Sequence, residues 1–326
     1  MPSLEPADKV EIRILVDNAT DMLSYNPPFV ESESGYLNRR GFKISAAKCL
    51  CCAVHGLSCL VTTHRGGKSR TVLFDTGPED YAFERNVTRL AVDLGAVESI
   101  VLSHGHWDHS GAMLLALSMI RSRNGGRDVP YYAHPGMFRT RGVRQPNGAV
   151  RRMEDVPSVV DLTAFGAQVV VTTEPQALLD GMFYVSGEVP RLSGFERGYP
   201  GQVRRTLDGE DWEPDELLMD ERWLAVTVAG KGLVVFSACS HAGIVNVLKH
   251  ARATFPDIPI HAVMGGLHLS GANEEIIPQT VESLKEFGLK TIAAGHCTGW
   301  RAMTALANAF GEGVLTPTAV GKRFTF

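Results

Sequence analysis

Long apolar runs are missing from this sequence: no segment approaches the roughly 18 uncharged apolar residues that a membrane-crossing helix needs, so no membrane association is expected. Its start, MPSLEPADKVEIRILVDN, lacks the basic stretch, apolar core and small-residue cleavage site of a secretory signal. Positive charge is scarce as well. Against 36 Asp and Glu there are 32 Lys and Arg, and a net charge of −4 gives no overall electrostatic footprint for nucleic acid or an anionic surface. Basic tracts interleaved with aromatics are also lacking, which argues against a nuclease or single-strand binder. Six cysteines in 326 residues make no disulfide framework, and a reduced, cytoplasmic setting is expected. Four of them, Cys49, Cys51, Cys52 and Cys59, crowd one apolar stretch and read as buried apolar cysteine rather than a separate metal site. There is no G-x-S-x-G elbow, and GGKS at 66–69 sits in a hairpin turn without the first glycine of a phosphate loop. Serine hydrolases and P-loop enzymes are thereby excluded.

What is present is an ordinary globular composition, 44% hydrophobic and 21% charged, long enough to bury a sizeable core in one large domain or two. Runs rich in β-branched residues at 10–16, 57–63 and 70–74 read as strands, the last two joined by the turn HRGGKS. A helix over 79–94 and a strand at 98–103 follow, and then comes HGHWDH at 104–109, just before the helical pattern of SGAMLLALSMIRS. The second half repeats this order in WLAVTVAGKGLVVFSACSH, HAGIVNVLKHARATF and IPIHAVMGGLHLSGA. Asp75 precedes His104 by 29 residues and Cys239 precedes His268 by 29, which suggests a duplicated half-domain whose two sheets meet with their loops at one edge. A helix at 274–287, the strand LKTIAAGHCTG, a last helix and VGKRFTF close the chain. Two stretches break the regularity: 139–157, and the polar run 186–222, a length that in a compact domain usually marks a functional loop or cap.

HGHWDH carries the chemistry. Three histidines and an aspartate in six residues exceed what packing needs, and imidazole with carboxylate suits zinc, with iron or manganese as alternatives. FDTG at 74–77 followed by LSHGHWDHSGA at 102–112 resembles the paired signature of the metallo-β-lactamase-fold superfamily. HGLS, SGEVPR, SACSHAGIVN, GGLHL and GHCTG are similar to its branch related to ribofuranosylaminobenzene phosphate synthase. The resemblance covers nearly the whole chain. It implies an α/β fold of four layers, αββα, with two packed mixed sheets flanked by helices, here one domain over 1–326 with a cap or loop insertion at about 186–222.

The resemblance also implies one or two metal ions, with His104 and His106 on one and Asp108 and His109 on the other, Asp108 doubling as proton acceptor. His296 in GHCTG matches the closing ligand. Where the superfamily has a bridging aspartate this chain has SACSH, so Cys239, His241 or both are candidates. Its usual third histidine is missing from YVSGEVPR, and His241 and His268 compete for that role. Asp75, after a strand and before Thr-Gly, reads as an acceptor orienting a ligand histidine, or as a turn cap. His134, Glu188 and Arg191 are candidate substrate contacts, and His55 either faces the pocket or is a core histidine. Arg139, Arg141, Arg144, Arg151, Arg152 and Arg197 would grip an anionic substrate or form a solvated basic surface.

The expected function is a metal-dependent hydrolase of a small ester, lactone, amide or phosphoester, using a water whose pKa the metal lowers. The alternatives are a pterin-linked transferase and a non-catalytic metal-binding sensor. The expected partner is a small molecule, not nucleic acid, and a homo-oligomer is left open.

Overall fold

The computed structural model describes residues 4–41 and 51–326. Cys49 lies outside the described residues, while Cys51 is buried and the Cys52 amide donates to Asn86. Among the described residues three sheets form. The first runs in the order Val30–Glu31, Arg323–Thr325, Lys9–Val16, Ser58–Arg65, Lys68–Phe74, Ser99–Val101, Val129–Ala133, Ala167–Val171. The second runs Gln176–Leu178, Phe183–Val185, Leu224–Val228, Gly232–Ser237, Ile260–Gly266, Thr291–Gly295.

Side-chain alternation explains why these two sheets stack. Val10, Ile12, Ile14, Val72 and Phe74 of the first sheet share one apolar cluster with Leu224, Val226, Val234 and Phe236 of the second. Their neighbours Leu15, Leu73, Leu233 and Val235 point the other way, into clusters under helices. A sheet buried on both faces reads as continuous apolar sequence, as GLVVF does. Helices Asp80–Arg89, Met113–Arg123 and Val159–Ala164 cover one outer face through Phe83, Val87, Leu117, Ile120 and Leu162. Helices Ile244–Thr254, Ile277–Lys285 and Trp300–Phe310 cover the other through Leu248, Ala251, Leu284 and Leu306. The layers are therefore helix, sheet, sheet, helix.

Both sheets use the same connection. An antiparallel hairpin, 58–65 with 68–74 or 224–228 with 232–237, leads into parallel strands, so the C-terminal ends of those strands present loops side by side. The helix expected over 79–94 stops at Arg89, because Ala91 takes a left-handed conformation (φ 47°) that turns the chain. The helix expected from Ser110 is preceded by a separate turn, Trp107–Ser110. The one expected over 274–287 begins as a 3-10 turn at Gly271–Ile276 and turns α-helical from Ile277, where Pro278 fits the first turn.

The two irregular stretches pair with one another. Arg141–Arg144 and Val150–Arg152 from the first join Gln202–Arg205 and Trp212–Pro214 from the second in a small antiparallel sheet. No helix among the described residues is long and apolar enough to cross a membrane.

Candidate metal centre

The centre begins where strand Ser99–Val101 ends. Ser103 and the motif histidines are buried, and Asp108 keeps a quarter of its side chain exposed. Asp75, at the end of the adjacent strand, sits in the left-handed region (φ 58°) and turns its carboxylate into the loop. It accepts from the Ser103 amide at 2.8 Å and the Ser103 hydroxyl at 2.7 Å, and lies 2.7 Å from His109 Nδ1. That contact puts the His109 proton on Nδ1 and aims Nε2 inward, 3.2 Å from Cys239 Sγ. His104 Nε2 lies 3.1 Å from His106 Nδ1, near the roughly 3.3 Å expected of two imidazole nitrogens on one tetrahedral ion.

The second half supplies donors from three neighbouring parallel strands. After Gly232–Ser237 come Cys239 and His241, after Ile260–Gly266 comes His268, and after Thr291–Gly295 come His296 and Cys297. At each of these turns a residue other than glycine is left-handed: Ser240 (φ 57°), His268 (φ 44°) and His296 (φ 46°). Such a conformation costs about 1–3 kcal/mol and persists where the surroundings over-determine it, which functional sites often do.

The donor atoms fall into three groups, each with all members within 4.8 Å of one another: His104, His106 and His241; Asp108, His109, Cys239 and His296; Cys239, His268 and Cys297. Both ring nitrogens of His241, Nδ1 of His268 and Nε2 of His296 are buried without a hydrogen-bond partner. Buried polar atoms rarely go unpaired, and a cation would complete these. Burial, and then neighbouring cationic groups, push His104 and His241 well below the usual histidine range, and His106 is lowered to about 4. These three are therefore neutral imidazoles, the form that ligates. Burial also opposes charge on His109, but the Asp108 and Asp75 carboxylates outweigh it and raise that group to about 9, so without a metal Nε2 carries a second proton, which a cation bound there would displace. Asp108 is held well below the carboxylate range: burial opposes its ionisation, and His109 and His296 more than compensate. The donor set fits divalent metal of the borderline-soft kind.

Sequence reasoning missed most of what holds this loop cluster. In the run 218–223, the Asp220 carboxylate accepts the Gly105 amide at 2.9 Å, Glu221 accepts the amides of His241 at 2.8 Å and Ala242 at 2.6 Å, and the Arg222 amide donates to Ser103 O at 2.8 Å. Three consecutive residues thus tie the two halves together. Burial raises Glu221 to about 7 in spite of those two amides. Arg141 lies between Asp215 (2.7 Å) and Asp220 (2.8 Å) and donates to Gly105 O at 3.0 Å. Position 105 must be glycine, because a Cβ there would collide with the Arg141 guanidinium and the Met137 carbonyl. Gln202 Oε1 sits 2.9 Å from His106 Nε2, and the Tyr199 ring packs against His241 and His268 at 5.7 and 5.4 Å. Asn18 accepts from His296 Nδ1 at 3.0 Å, and Asp17 accepts the His296 amide at 2.9 Å. Nothing in the local pattern of MDER announces these contacts, because their targets lie too far along the chain to be read from sequence.

The other candidates make different contacts. His134 pairs with Glu188 at 3.2 Å and accepts the Gly136 amide. Arg191 donates to the carbonyls of Val189, Leu217 and Leu218. Among the loop arginines, Arg139 pairs with Glu213, Arg152 with Asp155, and Arg144 donates to Gly148 O. Arg197 is exposed and lines a small pocket with His241, His268 and Asn273. His55 is exposed at the rim, its Nε2 3.6 Å from Asp108 Oδ2.

Residues 55–248 match the Metallo-beta-lactamase superfamily. The 7,8-dihydropterin-6-methyl-4-(beta-D-ribofuranosyl)-aminobenzene-5'-phosphate synthase of Methanocaldococcus jannaschii is 30% identical over 262 residues, covering 79% of this chain and 85% of that protein. The crystal structure of a metal-dependent hydrolase of the beta-lactamase superfamily matches with a TM-score of 0.71 and 21% identity, over 97% of this chain and 98% of the other. Unliganded yeast PDE1 matches with 0.55 and 10% identity, over 97% and 99%. At such identities the structural likeness concerns the fold.

Proposed function

We propose, from the premise that this chain belongs to the metallo-beta-lactamase superfamily, that it is a metal-dependent hydrolase of a small, anionic ester, lactone, amide or phosphoester. The observation that carries this reading is the adjacency of an all-imidazole group, His104, His106 and His241, to a mixed group whose carboxylate, Asp108, alone of its members keeps solvent exposure. Zinc suits these nitrogen, sulfur and oxygen donors, with iron or manganese as alternatives. Bound there, one or two ions would supply polarisation of a substrate oxygen and a water of near-neutral pKa.

The chain's own residues supply positioning and proton transfer. Asp75 and Asn18 fix the tautomers of His109 and His296, so that each presents Nε2 to the mixed group. Asp108 accepts the proton of the attacking water. His55 steadies that carboxylate at the rim: the Asn18 amide donates to Nδ1 at 3.0 Å, which leaves the Nε2 proton facing Asp108 Oδ2 at 3.6 Å. The stretch 186–222 covers the centre through Tyr199 and Gln202 and limits access to small substrates.

A second reading, a pterin-linked transferase, is favoured by the 30% identity to the synthase over most of both chains. Reconstituted protein of measured metal content, assayed on chromogenic esters, lactones and phosphodiesters, separates the two. The hydrolase reading expects turnover that Asp108→Asn abolishes while the fold is kept. Metal-loaded protein inert on the whole panel but binding a pterin tightly would reverse the order. Protein that takes up no metal on reconstitution would overturn both.

A further inference from the structure

The third donor group is not used by the reading above. We propose that Cys239, His268 and Cys297 form a separate cation seat, selective for thiophilic ions such as Zn2+, Cd2+ or Cu+, which shares the Cys239 sulfur with the neighbouring mixed group. The seat is built by three adjacent parallel strands whose ends line up, Gly232–Ser237, Ile260–Gly266 and Thr291–Gly295. Left-handed residues at 268 and 296 turn His268 and Cys297 toward Cys239. Gly266 leaves room for the sulfur, since a Cβ there would stand 2.5 Å from Cys297 Sγ.

The donor atoms all lie within 4.8 Å of one another. On one tetrahedral zinc, thiolate and imidazole donors stand about 3.5–3.8 Å apart, so small side-chain rotations close the seat. His268 Nδ1 is buried without a hydrogen-bond partner, which is the mark of a missing acceptor of its lone pair or proton. Sharing is chemically ordinary, because a thiolate has more than one lone pair to give. Softness rises across the centre, from three imidazoles through a mixed group to two sulfurs and one imidazole, so a hard ion that fills the first two groups is refused by the third. His268 is only half-buried, and three protein donors with one open side describe a seat that exchanges its ion.

The proposal rests on the metal-holding reading only through Cys239, and cadmium titration tests it separately. Reduced, metal-free full-length protein is loaded with Cd2+ and then with Mn2+. Bound equivalents are counted by native mass spectrometry, and sulfur-to-cadmium charge transfer is followed in the near ultraviolet. Wild type is expected to take about three Cd2+ but no more than about two Mn2+, and Cys297→Ser and His268→Gln to take one Cd2+ fewer. Both variants also lower the charge-transfer band, because the sulfur-to-cadmium bonds of the third seat are lost with its ion. The four cysteines outside the group are common to every variant and cancel in the difference. If Cys297→Ser does not fold, the half-buried His268→Gln still carries the count. Saturation at two Cd2+ with a band indifferent to Cys297 would overturn the third seat alone. Uptake of no ion at all would overturn the proposed function with it.

Discussion

HGHWDH sets four donors on one loop with unstrained backbone at each, whereas the second half collects Cys239, His241, His268, His296 and Cys297 from three strand ends, two of those donors being themselves left-handed. The supports differ in the same way. Carboxylates and a buried arginine hold the first half: Asp75 on His109, Asp220 on the Gly105 amide, Arg141 on both. In the second half the partner orienting a donor ring is neutral, Asn18 on His296, and carboxylates reach only the backbone of the turns, Glu221 on the amide of His241 and Asp17 on that of His296. Clustered donors need their loop braced from outside. Dispersed donors are braced by the sheet that carries them.

The sharpest way to break this contrast is to remove the outside brace. Arg141→Met leaves Asp220 buried without its cation and Asp215 with Arg204 alone, a loss of about 3–5 kcal/mol for such an arrangement. Urea unfolding should show it. A loss below about 1 kcal/mol, the worth of an exposed pair, would mean that the small sheet does not brace the motif loop.

Next in size is removal of the ions. A ligand present at a hundred times its dissociation constant stabilises the folded state by about 2.7 kcal/mol, so chelation should lower the melting temperature of wild type and do so less in His241→Ala. Equal shifts in the two would take His241 out of the centre.

Smaller still is the loss of one orienting partner on each side. Asp75→Asn should weaken metal binding about 10–100-fold, and Asn18→Ala should fall at the low end of that range, about tenfold, because a neutral amide polarises its histidine less than a carboxylate does. Competition with a chromogenic chelator measures both. Equal losses would erase the distinction between the halves.

The same contrast explains what the sequence made legible. The strands, the repeated hairpin and the four donors of HGHWDH depend on local pattern, and a period of two or six adjacent residues can be read without a fold. So can single candidates at strand ends, such as His241, His268 and His296. The pairing of 139–157 with 202–214, the Arg141 cradle, and Asp220 and Glu221 bridging to residues 105 and 241 are contacts over tens to more than a hundred positions, with no spacing rule to announce them. Arg141 shows the limit well: charge in a Pro/Gly-containing polar stretch suggested solvent or substrate, yet two aspartates from a distant segment bury it. Cys297 stood in plain view beside His296, and only its convergence with Cys239 and His268 gives it a role.

The smallest expected effect lies at the rim, where the two halves face solvent together. His55 belongs to the first half, its ring packs on that of His296 of the second at 4.9 Å and Asn18 links the two, so His55→Ala removes a group touching both supports while every buried donor keeps its own side chain. Its side chain is 69% exposed, so stability should stay within about 0.5 kcal/mol of wild type. Metal content should be unchanged. If His55 steadies the Asp108 carboxylate, kcat falls on the order of tenfold with KM unmoved, less than the roughly 100-fold or more that a group transferring the proton itself contributes, and added imidazole restores part of it. Loss of metal in His55→Ala would place His55 among the supports instead, and the first half would then be braced at its mouth as well as from behind.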